Sequence, residues 1–180
     1  MVFVSCFGFS QIQTCNALKQ KLENKYKINI YDKYNIDLFP AYWLEPPYNL
    51  QASGLKDEKE KLVLNCINKV LKNYPNDLIW STITSVYLLD SVVFSGGYKL
   101  PPVYTNNQCI YIICDGLEND TLGKKFKEEF ENVFFEYFPG FENPLGKISD
   151  DIKVEFKDSN IKNPYAMNLA KHLKSMEWTF

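Results

Sequence analysis

The run Cys109-Ile110-Tyr111-Ile112-Ile113-Cys114 decides how the rest of the chain is interpreted. It is continuously apolar and rich in β-branched and aromatic residues, a pattern typical of a strand that is buried on both faces of a sheet. A polar segment and then a long amphipathic helix, predicted over 121–137, follow this run. The stretch therefore predicts a sheet with helices packed against it.

Hydrophobic periodicity extends this prediction along the chain. Strands are predicted over 2–9, 27–32, 85–94 and 152–156, and helices over 11–26, 57–72, 78–83, 121–137 and 164–177. The inward residues of two of these helices are predicted to be Ile12, Cys15, Leu18 and Leu22, and then Leu62, Cys66, Ile67 and Val70. Asp77 is predicted to cap the short helix. The expected fold is one α+β domain over residues 1–180, with a mixed β-sheet packed with helices.

Two stretches break the regular pattern. Residues 33–56 contain Pro40, Pro46, Pro47 and Gly54 among several aromatic residues, and they are expected to form a long loop. A loop of this length is either packed on the domain or functional, and packing is the favoured interpretation. Gly96-Gly97 and Pro101-Pro102 mark a second long turn.

Composition excludes several classes of function. All 20 basic residues are Lys, the formal net charge is −2 and the pI is about 5.5, so we expect no nucleic-acid binding. The single histidine, His172, excludes any site that needs two imidazoles. Five cysteines without a Cys-x-x-Cys spacing are expected to be free thiols. No segment predicts a transmembrane helix.

The apolar N-terminus has two interpretations. Phe3-Val4-Ser5-Cys6 resembles the lipid-attachment motif of bacterial lipoproteins without its preceding signal, and Cys6 would then be a lipid-anchor site if a signal precedes it. A buried strand over Val2 to Phe9 is the interpretation that we favour. The chain is expected to be soluble as given, and to be a cell-envelope lipoprotein if a signal precedes Cys6, so its cellular location is left open.

The predicted helix 121–137 carries the most informative pattern. Its central part reads Leu122-Gly-Lys-Lys-Phe-Lys-Glu-Glu-Phe-Glu-Asn-Val-Phe134. The chain also has Tyr74-Pro75, Tyr87-Leu88-Leu89, Gly96-Gly97, Ile110-Tyr111-Ile112, Tyr137-Phe138-Pro139 and Asn143-Pro144. In this order and spacing, the segments resemble a bacterial family of zinc-binding metallopeptidases, often lipoproteins, over roughly residues 57–145. The resemblance implies a zincin-like architecture in which the helix at about 121–137 is the former active-site helix.

Zinc is the cofactor that this resemblance implies, held by a His-Glu-x-x-His helix in which residues i and i+4 share one face. Glu128 and Asn132 stand at the two ligand positions here, and Glu129 stands at the position of the catalytic Glu. Lys127 lies beside them, and only analogy would make His172 or Glu177 a third ligand. A carboxylate, an amide and a nearby ammonium form a poor zinc site, so we expect no bound metal and no other cofactor.

Three functions remain open. The first is a non-catalytic, metallopeptidase-like domain that binds a peptide or protein in the former cleft. The second is a hydrolase of another class that uses Glu128 and Glu129 as acid and base. The third is a plain interaction or structural protein, in which Glu128, Glu129 and Glu131 form a solvated face paired with Lys124, Lys125 and Lys127.

Overall fold

The run Cys109–Ile113 forms a strand of a mixed, five-stranded sheet in the computed structural model, which describes residues 6–115 and 119–138. The strands are β1 (Asn29–Tyr31), β2 (Gln51–Gly54), β3 (Ser85–Val93), β4 (Val103–Asn106) and β5 (Cys109–Ile113). The α-helices are α1 (Cys6–Tyr26), α2 (Ala41–Leu44), α3 (Asp57–Leu71), α4 (Asn76–Thr82) and α5 (Asn119–Tyr137). This arrangement confirms the predicted mixed sheet with helices packed against it.

Strand β3 organises the sheet. It pairs in parallel with β1 through Ser85 to Tyr87 and with β5 through Ser85 to Leu89. Antiparallel β2 pairs with the later part of β3, and Leu89 has Gly54 as one partner and Ile113 as the other. Antiparallel β4 then pairs with β5, so the strand order is β1-β3-β5-β4. The apolar β3 and β5 therefore lie inside the sheet, as their sequences require.

One face of the sheet is covered by α1, α3, α4 and α5. Alternate strand residues, such as Val86, Leu88 and Ile110, point into this layer, as the two-residue period of a strand dictates. They meet an aromatic surface of α5 that includes Phe126 and Phe130, both fully buried. This face holds the larger of the two hydrophobic clusters.

Residues 33–50 cover the opposite face. Phe39 and Trp43 are buried against Tyr87 and Tyr111, whose neighbours along their strands point to the helical side. Tyr111 donates its hydroxyl to the Leu38 carbonyl at 3.0 Å, which ties the segment to the sheet. The prediction that this aromatic stretch packs on the domain is thus confirmed.

Several predictions about local structure were wrong. Residues 6–9 belong to α1 rather than to a strand, because a short apolar run does not distinguish a helix from a strand. Leu62 is 40% exposed, and α3 instead turns Val63 and Leu64 inward. Asp77 lies inside the first turn of α4, whose cap position is Pro75. Strands β2 and β4 were assigned to loops because each is short and follows Pro-rich sequence.

Part of the prediction falls outside the described residues. This applies to residues 2–5 of the first predicted strand, to the strand at 152–156 and to the helix at 164–177. No helix in the described part of the chain is long and apolar enough to cross a membrane.

Candidate functional site

Helix α5 positions Lys127, Glu128, Glu129 and Asn132, the residues that the metallopeptidase resemblance places at and beside the metal-binding and catalytic positions. Its buried surface consists of Leu122, Phe126, Phe130, Val133 and Phe134. This surface fixes the rotation of the helix about its axis, because consecutive residues point about 100° apart. Glu128 and Asn132, four residues apart, therefore point away from the core and are exposed, and Glu129 is half-buried on one flank.

Glu129 lies on the flank of α5 that faces the edge strand β4. The Thr105 hydroxyl of β4 donates a hydrogen bond to Glu129 Oε2 at 3.3 Å. Partial burial raises the pKa of Glu129, and the nearby Glu128 charge acts in the same direction. Hydrogen bonds from Thr105 and Asn132 oppose that rise by stabilising the carboxylate. The Glu129 side chain, which the resemblance places at the position of the catalytic Glu, is thus oriented by a neighbouring strand and partly shielded from water.

Glu128 and Asn132, which the resemblance matches to metal-ligand positions, have different surroundings. Glu128 Oε1 lies 3.9 Å from Lys124 Nζ, an exposed pair within α5. Asn132 contributes only an amide, and Lys127 is exposed one residue before Glu128. Glu128 and Asn132 offer a zinc ion no imidazole, and the positive charges of Lys124 and Lys127 nearby oppose a bound cation. These residues therefore do not fit a zinc ion.

Glu131 contradicts the prediction of a fully solvated acidic face. Its side chain is buried, and Oε1 accepts a hydrogen bond from the Tyr74 hydroxyl at 2.8 Å. Burial and the adjacent carboxylate together raise the pKa of Tyr74, so its hydroxyl stays protonated and remains a donor. Glu131 therefore connects α5 to Tyr74, just beyond the end of α3. The exposed Lys124–Glu128 pair, by contrast, has the i, i+4 spacing that was predicted for the acidic face.

Within residues 6–115 and 119–138, no three His, Cys, Asp or Glu side chains converge as metal ligands would. His172 and Glu177, the residues proposed by analogy as a third ligand, lie outside this range. Cys66, Cys109 and Cys114 are free thiols. Burial raises the pKa of Cys66, Cys109 and Cys114, the last to about 11, so these thiols are poor nucleophiles at neutral pH.

The outer edge of β4 is a feature that sequence reasoning missed. Among the described residues, β4 has β5 as its single neighbour. The Ile113 N–H donates to the Pro102 carbonyl at 2.8 Å, so Pro102 and Ile113 are a hydrogen-bonded pair. Hydrogen-bonded and non-hydrogen-bonded pairs then alternate along β4 and β5. Given the pairing of Tyr104 with Tyr111, the backbone N–H and C=O groups of Val103 and Thr105 point away from β5. Thr105 thus combines an outward-facing backbone with a side chain that contacts Glu129.

Comparison of the chain with protein-family models, curated proteins and solved structures gave no match.

Proposed function

We propose that this chain is a non-catalytic, zincin-like domain, related to zinc metallopeptidases, that binds an extended peptide along β4 beside α5. The observation that carries the proposal is the position of Glu129. The residue at the catalytic position of the resembled family lies against an edge strand, and the residues at the ligand positions are a carboxylate and an amide.

The backbone of β4 supports a peptide rather than a small molecule as the ligand. An edge strand with outward N–H and C=O groups can accept one more strand, and main-chain hydrogen bonds then supply the affinity. Val103 and Thr105 provide these groups, and Glu129 of α5 contacts the Thr105 side chain beside them. Side chains of a bound strand would alternate between the α5 side and the opposite side.

The order of elements supports the zincin-like part of the proposal. A helix, a strand with an irregular continuation, an edge strand and a later long helix follow each other in small zinc peptidases. This chain has α3, β3, β4 and α5 in that order, with α4 between α3 and β3 and with β5 between β4 and α5, and β4 is antiparallel to its neighbour at the edge. Residues 33–50 lie on the other face of the sheet and do not cover α5, which argues against the plain structural alternative.

The peptide-binding proposal can be tested by screening a library of extended peptides for binding to the purified chain. Thr105→Pro removes the outward N–H and leaves the β4–β5 ladder intact, because that N–H is not part of the ladder. Thr105→Val is the matched control, since it keeps the N–H and loses the hydroxyl. We expect selected peptides to bind the parent chain and Thr105→Val, and to bind Thr105→Pro about tenfold more weakly or less.

Amide hydrogen exchange provides a second measurement in case Thr105→Pro does not fold. A bound strand should slow exchange at Val103 and Thr105 selectively. The proposal fails if no peptide binds, if exchange at these two amides is unchanged by a bound peptide, or if the chain cleaves peptides in a zinc-dependent reaction.

A hydrolase that uses Glu128 and Glu129 is a second candidate, and the raised pKa of Glu129 favours it. The exposure of Glu128 opposes it, because an acid–base pair needs both carboxyl groups to face one cleft, and Glu129 alone faces β4. A hydrolase screen of the parent chain and Glu129→Gln separates the two functions. Any activity that Glu129→Gln abolishes would favour the hydrolase.

A further inference from the structure

A groove between α3 and α5 has a chemistry that the proposed peptide site does not use. Its volume is about 660 Å³, within the range of small-molecule sites. It lies on the flank of α5 opposite to Glu129, between the C-terminal part of α3 and the first half of α5. The lining residues are Cys66, Lys69, Val70, Lys72, Asn73, Gly123, Lys124 and Lys127.

We propose that this groove binds a compact, phosphate-bearing small molecule with several negative charges. The four lysines that line it come from two helices and are all exposed. Glu128 offsets one of these charges through Lys124. A local charge of about +3 then matches a small polyphosphate at neutral pH.

The arrangement of the lysines is not explained by helix ends alone. Lys69 and Lys72 lie at the C-terminal end of α3, where the helix dipole favours cations. Lys124 and Lys127 lie in the first half of α5, where the dipole gives no such benefit. Lysines from two helices that line one groove repel each other, and a bound polyanion would relieve that repulsion.

The floor of the groove is uncharged and closely packed. A Cβ atom built on Gly123 would lie 3.4 Å from Cys66 Sγ, so glycine allows the two helices to approach here. Val70 is buried at the same place. Asn73 Nδ2 donates to the Lys69 and Val70 carbonyls, which satisfies acceptors that would otherwise repel an anion. The lysine ammonium groups therefore surround a neutral base.

A compact ligand fits this site better than a nucleic acid. The whole chain carries a net charge of −2, so it has no long-range attraction for an extended polyanion. The positive charge is confined to one groove, and it suits a ligand whose charge is equally concentrated.

The test is calorimetric titration of the full chain with inorganic tripolyphosphate at about physiological ionic strength. Lys69→Gln/Lys127→Gln removes one lysine from each wall of the groove. Lys21→Gln/Lys61→Gln is the matched control, because both of its lysines are exposed and lie outside the groove. We expect binding of one ligand per chain, weakened about tenfold or more in the groove variant and about twofold or less in the control.

Thermal unfolding gives an independent measurement. Without ligand, the groove variant should be about as stable as the parent chain, because the loss of repulsion between lysines offsets the loss of the favourable interaction of Lys69 with the α3 dipole. With tripolyphosphate, the parent chain and the control should gain stability and the groove variant should not. Absence of binding, or equal weakening in both double variants, would overturn the proposal. Neither result bears on the peptide site at β4.

Discussion

Glu129 links the surface chemistry of α5 to a measurable pH dependence. Partial burial and the neighbouring Glu128 raise its pKa in the folded chain. A raised carboxyl pKa means that the folded state holds the proton more tightly than the unfolded state. The charged form therefore destabilises the fold at neutral pH, and this effect disappears as pH falls below the ordinary carboxyl range near 4.

Glu129→Gln should accordingly raise the free energy of unfolding at pH 7 and leave it nearly unchanged at about pH 4. The amide still accepts the Thr105 hydrogen bond, so the contact with β4 is kept. Denaturant unfolding at the two pH values provides the measurement, with Glu136→Gln as the control, because Glu136 is exposed on the same helix and does not contribute to the raised pKa of Glu129. If Glu129→Gln stabilised the chain equally at both pH values, the raised pKa of Glu129 would not be the cause of the stabilisation.

Tyr74 and Glu131 form the most buried polar contact between α3 and α5. Tyr74→Phe removes the donor and leaves a buried carboxylate oxygen without this bond. We expect a loss of about 1–3 kcal/mol in unfolding free energy. Tyr98→Phe is the control, because Tyr98 is 64% exposed. Equal stability of the two variants would mean that the hydrogen bond contributes little.

At the scale of elements, residues 33–50 act as the second layer of the domain. Trp43 packs against Phe39, Phe94, Tyr104 and Tyr111, with ring centroids 5.5–6.3 Å apart. The segment has little regular structure, so its order depends on this aromatic packing together with hydrogen bonds within its own turns and to the hydroxyls of Tyr87 and Tyr111.

Trp43→Ala should therefore destabilise the chain by about 3–5 kcal/mol, as expected for a large buried aromatic residue. Tyr42→Ala, one residue away and 53% exposed, should cost about 1 kcal/mol or less. Chemical denaturation of both variants tests the difference. A small effect of Trp43→Ala would show that residues 33–50 are not an integral layer.

The elements that sequence predicted well are those with long, regular periodicity. Helix α5 and strands β3 and β5 follow directly from their apolar residues. Strands β2 and β4 were missed because each is short and follows Pro-rich sequence. The partner of β2 is distant in sequence, whereas β4 pairs with β5 across the turn Asn107-Gln108. In α3 the predicted inward residues Ile67 and Val70 are buried, and the prediction was wrong at Leu62. Leu62, Val63 and Leu64 are consecutive and apolar, and only packing decides which of them turns outward.

The sequence predicted which helix face carries the candidate site, but it did not predict the strand that lies against that helix. Spacing places Glu128 and Asn132 on one face of a helix, and the structure keeps both exposed. The contact of Glu129 with Thr105 and the outward backbone of β4 depend on tertiary pairing, which a single sequence does not encode in a local pattern. The lysine groove likewise exists only because α3 and α5 are neighbours.

At the scale of the whole molecule, the proposed function makes a testable claim, that the fold is metallopeptidase-like and that its metal ligands have been replaced. Restoring them should restore metal binding if the fold is of this kind. Glu128→His/Asn132→His places two imidazoles four residues apart on the exposed face of α5, on either side of Glu129. The exposed positions make the double substitution compatible with folding.

The most direct measurement is the zinc content of the parent chain and of Glu128→His/Asn132→His by elemental analysis after equilibration with zinc and removal of excess metal. The account predicts negligible zinc in the parent chain and a clear gain towards one zinc per chain in the double variant. One zinc per parent chain would contradict the non-catalytic proposal. A double variant that folds and binds no zinc would contradict the zincin-like ancestry.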